Sequence, residues 1–271
     1  MTMLSREQLQ LSKRYILQNS RLLERQLCEY FFGSGTKQAC LRALLAYQNP
    51  DGGYGNGLEP DLLCQDSTAI GAETALFILE LLEIHDTQIL TPLVNWIVTN
   101  QAETGIIPHP PAGLFAYPHQ PWWTNPDPDR VLALAGLLKK HGVDHPGFIR
   151  KVKQYALQVG TPEAGSYYTY PHFIYLKYCA ESDRERAKLA TMIEQLPILL
   201  EKFSDHFPLL NRAWFYAADY VDKASQGRAI QAFVAALQTD GGLKAPYPEL
   251  PWWRPIWTLD GLILMRKMEW I

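Results

Sequence analysis

The sequence predicts an all-α protein in which a ring of inner helices is enclosed by a ring of outer helices. Two observations support this prediction: helices of two kinds occur along the chain, and the turns that end several of them repeat one short motif. Apolar residues recur with the 3.6-residue period of a helix, and no segment shows the sustained alternation of a strand. We therefore predict one barrel of helical hairpins, a single domain over residues 1–271, with no polar linker dividing it.

The helices can be placed from apolar periodicity and from their start and stop signals. The first begins at Ser5, because Ser5 and Gln8 form a capping-box pattern. The predicted helices span residues 5–32, 37–47, 67–84, 92–101, 128–140, 147–159, 168–180, 184–203, 209–220, 226–237 and 257–268.

These helices differ in how their apolar residues are distributed. Residues 131–138 are apolar on every side, as are most of residues 69–82, which predicts fully buried helices. Residues 147–159 instead carry charged side chains opposite one apolar stripe, formed by Ile149, Val152, Tyr155 and Val159. Buried helices alternating with one-sided helices are what two concentric rings require.

An internal repeat supports the same arrangement. A Gln is followed by a Gly at the ends of three predicted helices, in the pairs Gln48–Gly52, Gln101–Gly105 and Gln238–Gly241. We expect each Gln to bond terminal backbone groups and each Gly to adopt the left-handed conformation that stops the helix. A second echo is the Pro-Trp-Trp triplet, present at 121–123 and again at 251–253, each shortly before a buried helix.

The composition argues against a nucleic-acid-binding protein and against a membrane-spanning protein. The formal net charge is -3 and charged residues make up 20% of the chain, so no basic excess suggests a nucleic-acid partner. The longest apolar run, near residues 75–82, is too short for a transmembrane segment. The N-terminus lacks a secretory pattern, and the four cysteines form no CxxC pair and are interpreted as packed free thiols. These features predict a cytoplasmic protein.

Residues 48–55, Gln-Asn-Pro-Asp-Gly-Gly-Tyr-Gly, resemble the QxxDGGFG-type repeat of protein prenyltransferase β-subunits. They are also similar to the QW motif of squalene-hopene cyclases, and with the copies at Gln101 and Gln238 the resemblance spans most of the chain. The resemblance implies an α/α toroid of the terpenoid cyclase and prenyltransferase superfamily. It further implies a central, aromatic-lined cavity that holds an isoprenoid or similar apolar ligand.

The same resemblance points to Asp66 as a catalytic acid. Cyclases that protonate an alkene carry a DxDDTA stretch whose middle aspartate is the acid, and residues 64–69, Cys-Gln-Asp-Ser-Thr-Ala, match that aspartate with Asp66. Asp66 would then initiate cyclisation by protonation. From its position before Ser-Thr-Ala we also predict Asp66 as a helix N-cap. The zinc ligands and the DDxxD motif of related enzymes are absent from the sequence, so no cofactor is predicted.

Further carboxylates are candidates for acid–base chemistry. If the N-termini of inner helices meet at one rim, Glu59, Asp61 and Asp129 would crowd there with Asp66 and raise one another's pKa. The alternative for Glu59 and Asp61 is a solvated acidic loop. At 127–130 the alternative is a helix cap, with Asp127 as the N-cap and a proline at the first helical position.

The predicted ligand-binding residues are aromatic, histidine and arginine side chains, mostly in loops: Tyr54, Tyr117, His119, Trp122, Trp123, Tyr168, Tyr170, His172, Trp252, Trp253 and Arg254. Aromatic faces could stabilise a carbocation or stack on sugar rings, and Arg254 could meet an anionic head group. The same aromatic residues are equally consistent with large core filler. No two histidines have metal-ligand spacing, so no metal site is predicted.

Three functions remain open from the sequence. The first, which we favour, is a terpenoid cyclase-like or prenyltransferase-like protein that binds an isoprenoid. The second is a carbohydrate-active α/α barrel, with its acid–base pair drawn from Asp61, Asp66 and Asp129. The third is a non-catalytic toroid that serves as a binding or scaffold protein. Oligomeric state and protein partners are not indicated.

Overall fold

Helices account for nearly all regular structure in the protein. The computed structural model describes residues 4–162, 169–202, 212–244 and 249–271. The α-helices within these ranges are α1 (Arg6–Asn19), α2 (Leu22–Phe32), α3 (Lys37–Leu45), α4 (Ala69–Leu81), α5 (Thr87–Thr99), α6 (Arg130–Lys140), α7 (Pro146–Gln158), α8 (Thr169–Cys179), α9 (Asp183–Lys202), α10 (Ala213–Ala217), α11 (Lys223–Ala236) and α12 (Trp253–Lys267). Short 3₁₀ turns occur at Leu114–Ala116, Pro121–Thr124 and Ala218–Tyr220.

The described residues contain no β-strand. Their only strand-like pairings are isolated bridges at Gln48–Tyr54, Leu62–His119 and Leu237–Leu243. The predicted all-α class is therefore confirmed. None of the described helices combines the length and the apolarity needed to cross a membrane. The predicted packing of the cysteines is also confirmed, because all four have free thiols and are buried.

Most helix boundaries agree with the sequence prediction, but the first helix does not. The capping box is present, with the Gln8 amide donating to Ser5 Oγ at 3.1 Å. The predicted helix over residues 5–32 is wrong, because Ser20 adopts an extended conformation and ends α1. Its amide and its hydroxyl both donate to the carbonyl oxygen of Ile16, at 3.0 and 2.6 Å, so a second helix begins at Leu22.

The chain divides into two compact units. We name Leu44–Met192 the middle unit, and Met1–Ala43 together with Ile193–Ile271 the terminal unit. The unit boundaries fall within α3 and α9. The expectation of a single domain stays a prediction.

In the middle unit, α6 packs against both α4 and α8. Residues 131–138 of α6 are all buried, and α4 is buried along almost its whole length. Gly136 permits backbone contact with α8, because a Cβ atom there would lie 2.5 Å from the carbonyl oxygen of Ile174. By contrast, α7 buries a single face, formed by Phe148, Val152 and Tyr155. The two predicted kinds of helix are confirmed.

The Gln–Gly turns end helices as predicted. Gln48 and Gln101 donate through Nε2 to the carbonyl oxygens of Gly52 and Gly105, at 3.0 and 2.9 Å. Both glycines have positive φ, 89° and 93°, where a side chain would be strained. The turn at Gln238 is closed differently. There the backbone amide of Gln238, not its side chain, donates across the turn to the carbonyl oxygen of Gly242.

Each turn glycine also lies against the backbone of another helix. A Cβ on Gly52 would lie 2.3 Å from the carbonyl oxygen of Pro92 in α5, and a Cβ on Gly105 would lie 2.6 Å from that of Lys151 in α7. In the terminal unit, Gly241 meets the backbone of α1 in the same way, at 2.6 Å. The turns after α3, α5 and α11 therefore pack on α5, α7 and α1, respectively.

Candidate functional site

Three helices of the middle unit bring polar side chains together around Asp129. Asp129 precedes the first residue of α6. Tyr155 on α7 donates its hydroxyl to Asp129 Oδ1 at 2.5 Å, and His172 Nε2 on α8 lies 3.3 Å from Asp129 Oδ2. We name Asp129, Tyr155 and His172 the acid–base cluster. Two of its members, Asp129 and His172, were site candidates from the sequence.

The cluster holds Asp129 as a carboxylate. Burial raises the pKa of Asp129, but the hydrogen bonds from His172 and Tyr155 and the charge of Arg130 outweigh burial, so the pKa lies below its ordinary value. Burial and the bond to this carboxylate raise the pKa of Tyr155, which therefore stays a neutral donor. Because an ionised carboxylate only accepts, His172 carries its proton on Nε2.

His172 also lines a cavity of about 390 Å³ that is formed by α7, α8 and the first turns of α9. Among the described residues, His172 Nδ1 has no hydrogen-bond partner; the only bond of this side chain is to Asp129. In the neutral imidazole with its proton on Nε2, Nδ1 carries a lone pair that can accept a proton. A histidine oriented by a carboxylate in this way is suited to general base catalysis.

A buried ion-pair network lies beside the cluster. Arg130 Nη1 is 2.7 Å from Glu73 Oε2 and Arg130 Nε is 2.8 Å from Asp127 Oδ2, and the Arg130 and Glu73 side chains are only 3% and 1% exposed. The predicted N-cap role of Asp127 is wrong. The carboxylate of Asp127 bonds the Arg130 side chain instead, and α6 begins at Arg130 without a side-chain cap. The network fixes the start of α6 against α4.

Glu59 and Asp61 are buried, 9% and 5% exposed, so their interpretation as a solvated acidic loop is wrong. Thr74 on α4 donates its hydroxyl to Glu59 Oε2 at 3.2 Å. Trp123 donates its indole N–H to Asp61 Oδ1 at 2.8 Å. Hydrogen bonds stabilise these buried carboxylates where they lie.

Asp66 bonds a different part of the chain from these groups. The N-cap of α4 is Thr68, whose Oγ1 accepts from the Gly71 amide at 3.0 Å, so the predicted N-cap role of Asp66 is wrong. The Asp66 side chain is exposed and accepts from the Gly113 amide at 2.8 Å. It borders an open groove of about 670 Å³, together with Trp96 and several prolines. The role of Asp66 as proton donor stays a prediction.

The predicted ligand-binding residues of the middle unit have varied environments. Tyr54 is fully buried, and its hydroxyl has no partner in the described part of the chain. Tyr170 and Trp123 are buried, whereas Trp122 is 42% exposed. Tyr168 lies outside the described residues. The buried members of this set agree with the core-filler interpretation.

Tyr117 and His119 belong to the loop that precedes α6. The Tyr117 hydroxyl donates to Gln65 Oε1 at 2.9 Å. His119 Nδ1 lies 2.7 Å from the Tyr117 carbonyl oxygen, and its ring packs edge-on against Phe115. Both side chains fix the loop next to the open groove.

In the terminal unit, Trp252 is 43% exposed and Trp253 stacks on Trp257, with ring centroids 5.1 Å apart. Arg254 Nη2 bonds both carboxylate oxygens of Asp240, at 2.9 and 3.0 Å. Arg254 Nε donates to the carbonyl oxygen of Leu243 at 2.6 Å. Arg254 therefore fixes the turn after α11, and an anionic head group would compete with a carboxylate already bound bidentately.

Sequence reasoning missed three titratable groups. In the sequence Tyr155 is only one member of an apolar stripe, and Tyr175, a second lining residue of the α7–α9 cavity, carries no signal of its own. The third is Asp260, whose signal was visible as the single acidic residue in α12. Burial raises the pKa of Asp260 to about 7.

No group of three or more His, Cys, Asp or Glu side chains that could hold a metal ion occurs in the ranges the structure describes. No protein-family model matches this chain, and no curated protein matches its sequence. The chemistry of the site is therefore interpreted from its own geometry.

Proposed function

We propose that the chain is an α/α toroid of the terpenoid cyclase and prenyltransferase class. Three turn glycines support this proposal, because the turns after α3, α5 and α11 pack on α5, α7 and α1. In a toroid, inner and outer helices alternate along the chain, so consecutive outer helices are two places apart. We therefore expect the turn after one outer helix to contact the next outer helix. The buried α4, α6 and α8 correspond to inner helices. This assignment concerns fold, and fold alone does not determine chemistry.

We further propose that the protein transfers a proton to or from a small, partly apolar molecule through His172. The observation that carries this proposal is the bond between His172 Nε2 and Asp129, which leaves Nδ1 unpaired among the described residues that line the α7–α9 cavity. Asp129 orients the imidazole. The volume, about 390 Å³, lies within the range of small-molecule sites.

His172 is better suited to this role than Asp66. Protonation of an alkene needs an acid in a dry, enclosed site, because water competes for the proton and stabilises the carboxylate. Asp66 is exposed, and its carboxylate already accepts the Gly113 amide. An isoprenoid-like molecule remains our preferred ligand, since Ala156, Leu157 and Leu176 contribute apolar wall to the cavity.

The test replaces His172 by Gln, whose Nε2 can reproduce the bond to Asp129 while removing the base. Wild type and variant are screened by thermal shift with isoprenoid diphosphates, squalene-like lipids and oligosaccharides, and products are sought by mass spectrometry. A ligand of the native protein raises the midpoint by an amount set by its concentration relative to Kd. We expect ligands to stabilise His172→Gln as they stabilise the wild type. The rate of product formation should fall about 10²- to 10⁴-fold in the variant.

His85→Gln, the same change at an exposed histidine outside the cavity, is the control. An unchanged rate in His172→Gln would refute the proposed proton transfer. Ligand binding without any product in the wild type would instead favour the non-catalytic binding protein. Stabilisation by an oligosaccharide alone would favour the carbohydrate-active alternative.

A further inference from the structure

The acidic side chains of the α7–α9 cavity have partners. Glu181 forms an ion pair with Lys153. Glu185 accepts from the amides of Glu181 and Ser182, at 3.0 and 2.9 Å, and from the Ser182 hydroxyl at 2.8 Å. Burial raises the pKa of Glu185, but these bonds outweigh it and the pKa lies below its ordinary value. Both carboxylates are therefore engaged with groups of the protein itself.

Two cations of the same cavity are not paired. Arg184 and Lys188 both line it, and neither forms an ion pair or a side-chain hydrogen bond within the described residues. They are four residues apart on α9, so they lie on the same side of the helix. With Glu181 and Glu185 engaged, the positive charge of this pair is available to a bound molecule.

The Arg184–Lys188 pair favours a ligand with negatively charged oxygen atoms. Tyr175 on α8 also lines the cavity, but its hydroxyl is shielded from solvent and has no partner among the described residues.

We infer that the α7–α9 cavity binds an organic anion, with a phosphate or carboxylate group held by Arg184 and Lys188 and an apolar part against Leu157 and Leu176. The inference rests on the proposed function, because it names the charge of the molecule on which His172 acts. Arginine and lysine are the usual partners of such oxyanions.

Isothermal titration of the full chain with four hexyl compounds tests the inference. Hexyl phosphate and hexanoate carry the anion, hexanol lacks the charge, and hexylammonium reverses it. We expect the two anions to bind and hexanol and hexylammonium to bind at least tenfold more weakly. The double variant Arg184→Ala/Lys188→Ala should weaken anion binding about tenfold, since each exposed charge contributes modestly. Arg150→Ala, which removes one positive charge from an exposed residue of α7 outside the cavity, should not weaken it.

Equal affinity for hexanol and hexyl phosphate, or tighter binding of hexylammonium, would overturn the inference. Anion binding that is as tight in the double variant as in the wild type would also overturn it, because the anion would then be held elsewhere. His172→Gln should bind hexyl phosphate within about twofold of wild type, because Asp129 and α8 stay in place. The proton-transfer proposal is tested separately by the rate of that variant, so failure of anion binding leaves it standing.

Discussion

Asp260→Asn should stabilise the protein at alkaline pH and have little effect at acidic pH. Asp260 lies in α12 between the buried residues Leu259 and Gly261. Burial raises its pKa from 3.8 to about 7, with Arg212 opposing and Glu24 reinforcing the shift. Asn has the shape of a protonated Asp and cannot ionise, so it should fit the folded structure at any pH.

The direction of this pH dependence follows from the protonation of Asp260 in the folded and in the unfolded chain. Below pH 4 the folded and unfolded chains both hold the proton of Asp260. Between pH 4 and pH 7 only the folded chain holds it, so the free energy of unfolding falls by about 1.4 kcal/mol per pH unit. Above pH 7 both states are ionised and the full cost, about 4 kcal/mol, is present. This is an upper limit, because Asp260 keeps some solvent exposure.

Urea unfolding at pH 5 and pH 8 measures the effect. The advantage of Asp260→Asn over wild type should grow by up to about 3 kcal/mol between these pH values. Asp222→Asn is the control, because hydrogen bonds from Ser225 and Ala224 hold the pKa of Asp222 below its ordinary value. Its contribution is lost only at lower pH, so that variant should differ from wild type equally at pH 5 and pH 8. A pH-independent effect of Asp260→Asn would refute the reasoning.

Two further predictions concern packing and hydrogen bonding, and urea unfolding measures both. Gly52→Ala should destabilise by at least about 3 kcal/mol, because strain at φ 89° adds to a clash with Pro92. Gly142 has φ 76° but open space around it, so Gly142→Ala should lower the free energy of unfolding by only about 1 kcal/mol. Equal losses in the two variants would contradict the packing argument. Tyr155→Phe should cost about 1.5–3 kcal/mol, the range for a hydrogen bond to a charged group. Tyr175→Phe should be nearly neutral, since its buried hydroxyl has no partner in the described residues, and a similar loss in both variants would contradict this assignment.

Periodicity predicted the helices well because it depends on residues that are near in sequence. The buried faces of α4 and α6 and the Gln–Gly turns follow from such local patterns. The N-cap of α4 could not be chosen in the same way. Asp66, Ser67 and Thr68 are all good capping residues, and the start of α4 is fixed by a distant contact, the Thr68 amide donating to the carbonyl oxygen of Tyr54 at 3.0 Å.

The acid–base cluster was predictable only in part, for a related reason. Asp129 and His172 each stood out, but they are 43 residues apart, and the bond between them depends on the packing of α6 against α8. Tyr155 gave no signal beyond its place in an apolar stripe, since a tyrosine there fits a core as well as a donor. Which polar groups pair is decided by tertiary packing.

Residues 127–130 show how one short segment serves both the fold and the site. Arg130 forms ion pairs with Asp127 and Glu73, and the pair with Glu73 anchors α6 to α4. The position is buried, so an unpaired charge there would be costly. Asp129 lies between Asp127 and Arg130 in the sequence, but its carboxylate bonds side chains of α7 and α8 instead. The charge of Arg130 also helps to lower the pKa of Asp129. Arg130 therefore anchors α6 and also contributes, after the hydrogen bonds of His172 and Tyr155, to the low pKa of the carboxylate that orients the proposed base.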